Sequence, residues 1–589
     1  MKQKHLRMKP VKLLLAVSLA ASLHACVKSD LLDPKTTNEL NEQTVFADSS
    51  RTIDFLMSMY VDASYTFSYK RWGNIWAGTT EASDEAMSYL NGPTQPFSYI
   101  FNANISSANT IPYDNCWTVA WTNIRRANVF LGHVKEAPVS ETLKQTSAGE
   151  ARFLRAWYYA VLIKNFGGVP LLGNKLFAAN DDLQIPRNKY EECVNFIVSE
   201  LDAIAPVMPL DQPAQDYGRI TRGACLALKA RVLLYAASPL FNGGSTADNA
   251  TVKALTSYPV YDANRWVKAA EAAKAVIDLG VYSLFEDNVT APGFGFSKVF
   301  LTRKNSEYIF SGMQAPAKTM EQQFLPPSRG VTQPKSVPTQ NMAEAFGMID
   351  GKPSVDGGPI AKSPLFNPLD PFTNRDPRFN YSIIYNGTLW YKNTGLKEAL
   401  FTYENAPQDG YKIVAWSTGY YWRKMMSDAT ASNAGPNTDR CLPLIRYAEI
   451  LLSYAEATNE TGTTDIAYEQ LKLIRKRAGI QPGGDGMYGL PTSLNRDDMR
   501  KVLQAERRVE FAFEDHRYWD VRRWKTAPET MNATMYAMRI VKTGSTYTYD
   551  NRVITNVNSK HVFKDANYLF PIMQSEISKN RALIQNPGY

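Results

Sequence analysis

Histidine and cysteine are scarce in this chain, at five residues each among 589. No H-E-x-x-H pair occurs, and His133, His516 and His561 are too scattered to suggest a metal site. The absence of G-x-S-x-G removes the nucleophile elbow of the α/β-hydrolases. Without a D-x-D-x-D-G loop no calcium ion is expected, and no cofactor is implied. The stretch "GVPLLGNK" (168–175) spaces its glycines like a phosphate loop but lacks the Gly-Lys-Ser/Thr ending, so a turn after a helix explains it better. Past residue 23 no apolar run approaches the roughly 20 residues that cross a bilayer. Long basic runs are missing as well. Of the formal charge of +8, +5 lies in residues 1–12, leaving +3 for everything after them. Nothing downstream is built to neutralise phosphates, so nucleic acid is not an expected partner.

What is present begins with the first 26 residues. Lys2, Lys4, Arg7, Lys9 and Lys12 have no acid among them, and Leu13–Leu23 is apolar apart from Ser18 and Ser22. This charged, apolar and small-residue order suits a secretory signal better than a core segment. The ending Leu-x-Ala-Cys resembles a bacterial lipobox, in which Cys26 becomes the lipidated first residue of the mature protein. Residues 1–25 are then a signal peptide, 26–45 a lipid-anchored tether, and 46–589 the folded part. Lys28, Ser29, Asp30 and Asp33 resemble the polar export tag of surface lipoproteins in Bacteroidetes-type bacteria. An exported protein can hold disulfides, but no C-x-x-C pair occurs, and Cys193 and Cys225 stand among apolar helical residues that suit buried free thiols.

Helical periodicity dominates the rest. Trp117, Trp121, Ile124 and Leu131 recur at helical spacing; Phe153, Trp157 and Val161 share a face that stops at Gly167; Thr221 caps "RGACLALKARVLLYAASP"; Trp266, Ala270, Ala273 and Ile277 precede Gly280. Leu444–Ala478 reads as a helix pair, with Leu444, Ala448, Leu451 and Ala455 facing Ala467, Leu471, Ile474 and Ala478 across a Gly-Thr-Thr turn. Small residues at a crossing and a period of about 34 residues resemble a tetratricopeptide unit. The fold expected is mostly α, a tetratricopeptide-like helical repeat scaffold over about 117–280 and 443–525. Residues 316–377 hold 11 of the 33 prolines, which excludes a helix bundle there. With "VPTQNMAEAFGMIDGKP" as a short helix and "YSIIYNG", "YKIVAW" and "GYYWRK" as strands, 286–424 is expected to be a loop-rich, short-strand subdomain.

One stretch invites a catalytic reading. In "ERRVEFAFEDHRYWDVRRWK" Glu506, Glu510 and Glu514 repeat every four residues and would share a helix face. A glycoside hydrolase needs two carboxylates about 5–9.5 Å apart, one of them protonated. Arginines at 507, 517, 522 and 523 pull carboxyl pKa values down, so a charge-paired packing helix is the better reading.

Five stretches together resemble the SusD/RagB family. They are "GEARFLRAWYYAVLIKNFGGVPLL", "GRITRGACLALKARVLLYAASPLFNG", "PLIRYAEILLSYAEATNETG", "ERRVEFAFEDHRYWDVRRWK" and the closing "YLFPIMQSEISKNRALIQNPGY", which has Met573 where a proline is usual. They occur in the family's order, while Glu286 to Tyr421 matches loosely. The resemblance implies a lipid-anchored outer-membrane protein facing the cell exterior, without catalytic activity. Such a protein captures oligosaccharide or polysaccharide and passes it to a partner TonB-dependent barrel transporter of the SusC type; some relatives carry peptides instead. Its binding aromatics and asparagine follow an Asp-Glu pair, here Asp84-Glu85, which points to Tyr89 and Asn91 in "DEAMSYLNGP". Its second aromatic cluster falls where this chain offers Phe324 and Arg329 but no tryptophan. That departure argues for a glycan other than starch. Trp72, Trp76 and Trp422 read as structural, and Trp390-Tyr391 as turn packing rather than a sugar platform. The 43 tryptophans and tyrosines leave ample material for such platforms elsewhere.

Overall fold

The computed structural model describes residues 41–64, 78–88, 103–108, 114–392, 396–410, 417–555 and 561–589. Cys26, Trp72, Trp76, Tyr89, Asn91 and the stretch "YKIVAW" lie outside the described residues. Ten helices carry the frame, in chain order α1 Ser49–Ala63, α2 Asp114–His133, α3 Glu141–Phe166, α4 Tyr190–Ile204, α5 Arg222–Ala237, α6 Asn264–Ile277, α7 Tyr447–Glu460, α8 Thr464–Arg477, α9 Arg496–Glu510 and α10 Arg517–Arg523. Their ends follow local chemistry. Ser140 and Thr221 accept the N–H groups of Leu143 and Ala224, each at 3.2 Å, and start α3 and α5. Gly167 stops α3 at φ +77°, where a Cβ would lie 2.7 Å from the Leu255 carbonyl oxygen.

From α1 to α8 each helix packs on the next in the series, and α9 closes against α7 and α8. Ala448, Ala455 and Ala467 are fully buried where α7 meets α8, beside Leu471 and Ile474. Alanines there let the two backbones approach, and each buried large aliphatic side chain contributes about 1.5–3 kcal/mol. Helices α6 and α7 are neighbours in space although Ile277 and Tyr447 are far apart in sequence. The intervening chain is therefore an excursion from a continuous helical array.

Short antiparallel pairs stitch that excursion in place. Strands β1 Ala86–Ser88 and β3 Ser336–Pro338 pair, as do β2 Tyr308–Gly312 with β8 Leu442–Arg446. β4 Ile383–Ile384 pairs with β7 Tyr421–Trp422, and β5 Leu389–Tyr391 with β6 Lys397–Ala399. β2 and β8 sit where the excursion leaves and rejoins the helices, so their pairing closes its base. The expected short helix is Gln340–Ala345, capped by Thr339. A long hairpin, β9 Tyr536–Thr543 and β10 Thr546–Val553, had no counterpart in the sequence reading.

Two expectations are corrected. Leu444 lies in β8 rather than on the first helix of the pair, because β2 recruits the backbone of Leu442–Arg446 into a strand. The helix starts at Tyr447, whose N–H donates to the Glu307 carbonyl at 2.8 Å. Glu514 does not share a helix with Glu506 and Glu510: α9 ends at Glu510, and Phe513 and Asp515, both at φ +62°, turn the chain before α10. Cys193 and Cys225 are buried free thiols, and Cys116 and Cys441 are buried as well.

Candidate functional site

The Asp84-Glu85 pair is buried, and two arginines explain how Asp84 tolerates it. Arg517 holds Asp84 with Nε and Nη2 at 2.8 and 3.0 Å, and Arg508 Nη2 reaches it at 2.7 Å. Burial alone would raise the Asp84 pKa, but the Arg508 and Arg517 charges outweigh it and hold the carboxyl far below the ordinary range. Glu85 goes the other way. Burial, with the Asp84 charge adding to it, pushes its pKa up to about 8, against the opposing Phe513 N–H that donates to it at 3.2 Å. One member of the pair is thus a fixed anion and its neighbour is neutral at pH 7.

The same region holds the start of β1 in place. Thr339 donates its hydroxyl to the Asp84 carbonyl at 2.7 Å and its N–H to the Glu85 carbonyl at 3.0 Å, continuing the β1–β3 ladder. Ser88 at the end of β1 pairs with Ser336 in the proline-rich segment. Residues 84–88 and the segment that holds Phe324 and Arg329 are joined through β3, since the Lys335 N–H just before it donates to the Gln323 carbonyl at 2.8 Å. The sequence reading missed Arg508 and Thr339, and gave Arg517 no part here. Arg508 and Arg517 lie more than 400 residues from Asp84, and their role becomes legible only once that partner is known.

Phe324 and Arg329 are interior. Phe324 is 5% exposed and stacks on Trp422 at 4.8 Å, and the other neighbour of Trp422 is Phe513, at 4.4 Å. Arg329 is 3% exposed and donates to the Glu398 carbonyl at 2.8 Å and the Ser328 hydroxyl at 2.8 Å, tying a 3-10 turn to β6. Neither presents a ligand-facing surface, because both side chains are buried. They form the backing of the region: Glu85, Phe513, Trp422 and Phe324 make one contiguous chain of contacts. Trp390 is fully buried and donates Nε1 to the Thr430 carbonyl at 2.9 Å, and Trp422 likewise to the Lys424 carbonyl at 2.9 Å. Both are packing residues; Tyr391 beside Trp390 is half-buried.

The carboxylates of α9 belong to an interior ion-pair cluster. Glu506 meets Arg378 at 2.7 Å and Arg475 at 2.8 Å; Glu510 meets Arg446 at 2.7 Å, Arg378 at 3.0 Å, and Arg477. Glu514 meets Lys424 at 2.6 Å and Arg446 at 2.7 Å, and Glu307 is shared by Arg446 and Arg477. Burial raises the pKa of Glu506 and of Glu510, but the surrounding arginines outweigh it in both cases. Both are held as anions, so the pair lacks the proton donor that glycosidic cleavage needs. Among the described residues no group of His, Cys, Asp or Glu is arranged to hold a metal ion, and no helix is long and apolar enough to cross a membrane.

Glu85 gives a pH prediction. Its raised folded pKa contributes stability that is complete below the ordinary carboxylate value and is lost as pH rises through about 8. Against a Glu85→Gln variant, the wild-type unfolding midpoint should fall progressively between pH 5 and 8. The slope of the difference should reach at most about 1.4 kcal/mol per pH unit. A difference independent of pH in thermal scans would show that Glu85 is ionised throughout.

Two family models match the chain. One, described as "SusD family", spans residues 300–589, and the other, described as "Starch-binding associating with outer membrane", spans residues 30–234. SusD-like protein P38 of Formosa agariphila is 23% identical over 450 residues, which are 76% of this chain and 79% of that relative. A solved SusD-like protein of Bacteroides fragilis superposes with a TM-score of 0.73 at 25% identity, over 93% of this chain and 98% of its own. A second structure from that organism, described as a SusD-like carbohydrate binding protein, has a TM-score of 0.69 at 23% identity, over 92% of this chain and all of its own. The mostly helical, tetratricopeptide-like scaffold expected from periodicity is the fold these structures share.

Proposed function

We propose that this chain, which belongs to the SusD family, is a non-enzymatic glycan-binding lipoprotein that captures oligosaccharide or polysaccharide at the outer membrane. The observation that supports the reading is the clamp on Asp84: two arginines and the β1–β3 ladder hold residues 84–88, which Tyr89 and Asn91 follow in sequence. Tyr89 offers a ring for an apolar sugar face and Asn91 a planar amide for hydroxyls, the two elements that saccharide recognition needs. The descriptions of the outer-membrane family model and of the B. fragilis carbohydrate binding protein agree with this reading. Cys26 would carry the lipid, and the polar residues after it would give slack between membrane and domain. Delivery to a SusC-like TonB-dependent barrel rests on the family resemblance; cross-linking on cells against a strain lacking the neighbouring barrel tests it.

The site is tested by substitution. Tyr89→Ala and Asn91→Ala proteins should stay folded, with unfolding midpoints like the wild type, and should lose about tenfold or more in affinity for whichever polysaccharide the wild type binds. Unchanged retardation of both variants in affinity electrophoresis would place the site elsewhere.

A further inference from the structure

A separate cavity of about 550 Å³ is bounded by the loop entering α5, the chain leaving α6 and the approach to β2. None of its lining residues belongs to 84–88 or 321–338. Tyrosines 217, 282 and 308 all contribute to its wall. The helix makes room for one of them: a Cβ at Gly223 would lie 2.1 Å from the Tyr282 hydroxyl oxygen. That hydroxyl meets Thr221 Oγ1 at 3.2 Å. The Tyr217 hydroxyl is buried, with the Ser311 side chain and the Asn305 backbone beside it. Lys304 and Asp211, both more than half exposed, stand 3.7 Å apart on the lining, with Lys304 Nζ 5.5 Å from the centre of the Tyr217 ring.

The chemistry narrows the guest. An anion finds little free positive charge, because Arg219 is held by Glu150 at 2.6 Å and by Asp216 at 3.1 Å, and Lys304 already faces Asp211. A purely apolar guest would take water from the Gln212 amide and the Lys304–Asp211 pair without replacing it. A neutral sugar answers both constraints: its C–H faces lie on tyrosine, and its hydroxyls meet a phenol, the Gln212 amide and an exposed ion pair. The volume falls within the range usual for small-molecule sites. We propose that this cavity is a second binding site, for a short neutral saccharide seated on Tyr217 and Tyr282. It does not depend on the assignment of Tyr89 and Asn91.

The test is calorimetric titration of the full-length protein in detergent with cellobiose, maltose, lactose and xylobiose, repeated on Tyr217→Ala and Lys304→Ala variants checked by circular dichroism. At least one disaccharide should bind, with affinity about tenfold weaker in Tyr217→Ala and about threefold weaker in Lys304→Ala. Lys304 is a surface residue, so its variant keeps the test decisive if Tyr217→Ala does not fold. Two results would each overturn the proposal: no heat with any of the four sugars, or wild-type affinity in the folded Tyr217 or Lys304 variants.

Discussion

Replacing Arg446 by leucine should destabilise the protein by about 3–5 kcal/mol, a large part of the roughly 5–15 kcal/mol typical of a whole domain. The Arg446 side chain is 1% exposed and serves three carboxylates, Glu307 at 2.6 Å and Glu510 and Glu514 at 2.7 Å, while also donating to the Glu510 carbonyl at 2.9 Å. Around it the buried charges balance, with Glu307, Asp376, Glu506, Glu510 and Glu514 facing Arg378, Lys424, Arg446, Arg475 and Arg477. Leucine fills part of the volume but leaves one anion uncompensated in a medium that cannot hydrate it. The cluster joins β8, α8, α9 and the excursion, so the loss should appear as a lower urea midpoint for the whole chain. Arg446→Lys should lie between, since one ammonium keeps the charge but not the fork that reaches three acids. Glu510→Gln separates this account from a catalytic one. An acid–base glutamate would leave a stable, inactive protein, whereas here the variant should unfold earlier and bind glycan unchanged while folded.

Asp84→Ala should have the second-largest effect, about 3 kcal/mol or more, because it strands the Arg508 and Arg517 charges in the interior. It differs from Arg446→Leu in where the damage shows. Asp84 lies just before β1, and its carbonyl accepts from Thr339 at the end of β3. Hydrogen exchange should therefore quicken first at 86–88 and 336–338, before the helical array opens. Binding at Tyr89 and Asn91 should be lost even in the fraction that remains folded. Asp84→Asn keeps the shape without the charge and should retain more stability than alanine. Retention of full protection at β1 and β3 in Asp84→Ala would show that the arginine clamp does not organise the site.

The helical array could be read from sequence because its determinants are local: caps at Ser140 and Thr221, a stop at Gly167, and apolar residues at helical spacing. The packing role of Glu506 and Glu510 was legible for a similar reason, since nearby arginines already implied ionised carboxylates. What failed depended on distant partners. Phe324 beside proline-rich turns looks like an exposed ring, and only Trp422, far along the chain, makes it an interior one. Leu444 fits a helical face by spacing, but β2 recruits its backbone into a strand. The β9–β10 hairpin was within reach: Tyr547 and Tyr549 alternate with polar residues after a turn at Gly544, the pattern of a half-buried ribbon. The partnership of Asp84 with Arg508 and Arg517 carried no local signal at all.

The central claim, capture of a glycan without cleavage, is tested most directly by one paired measurement. Protein beginning after Cys26 is titrated calorimetrically against plant, host and microbial polysaccharides, and the same samples are assayed for new reducing ends. The account predicts saturable heat with at least one polysaccharide and no rise in reducing ends over the protein-free control. Reducing ends that accumulate with time, and vanish in Glu506→Gln or Glu510→Gln protein that remains folded, would contradict it.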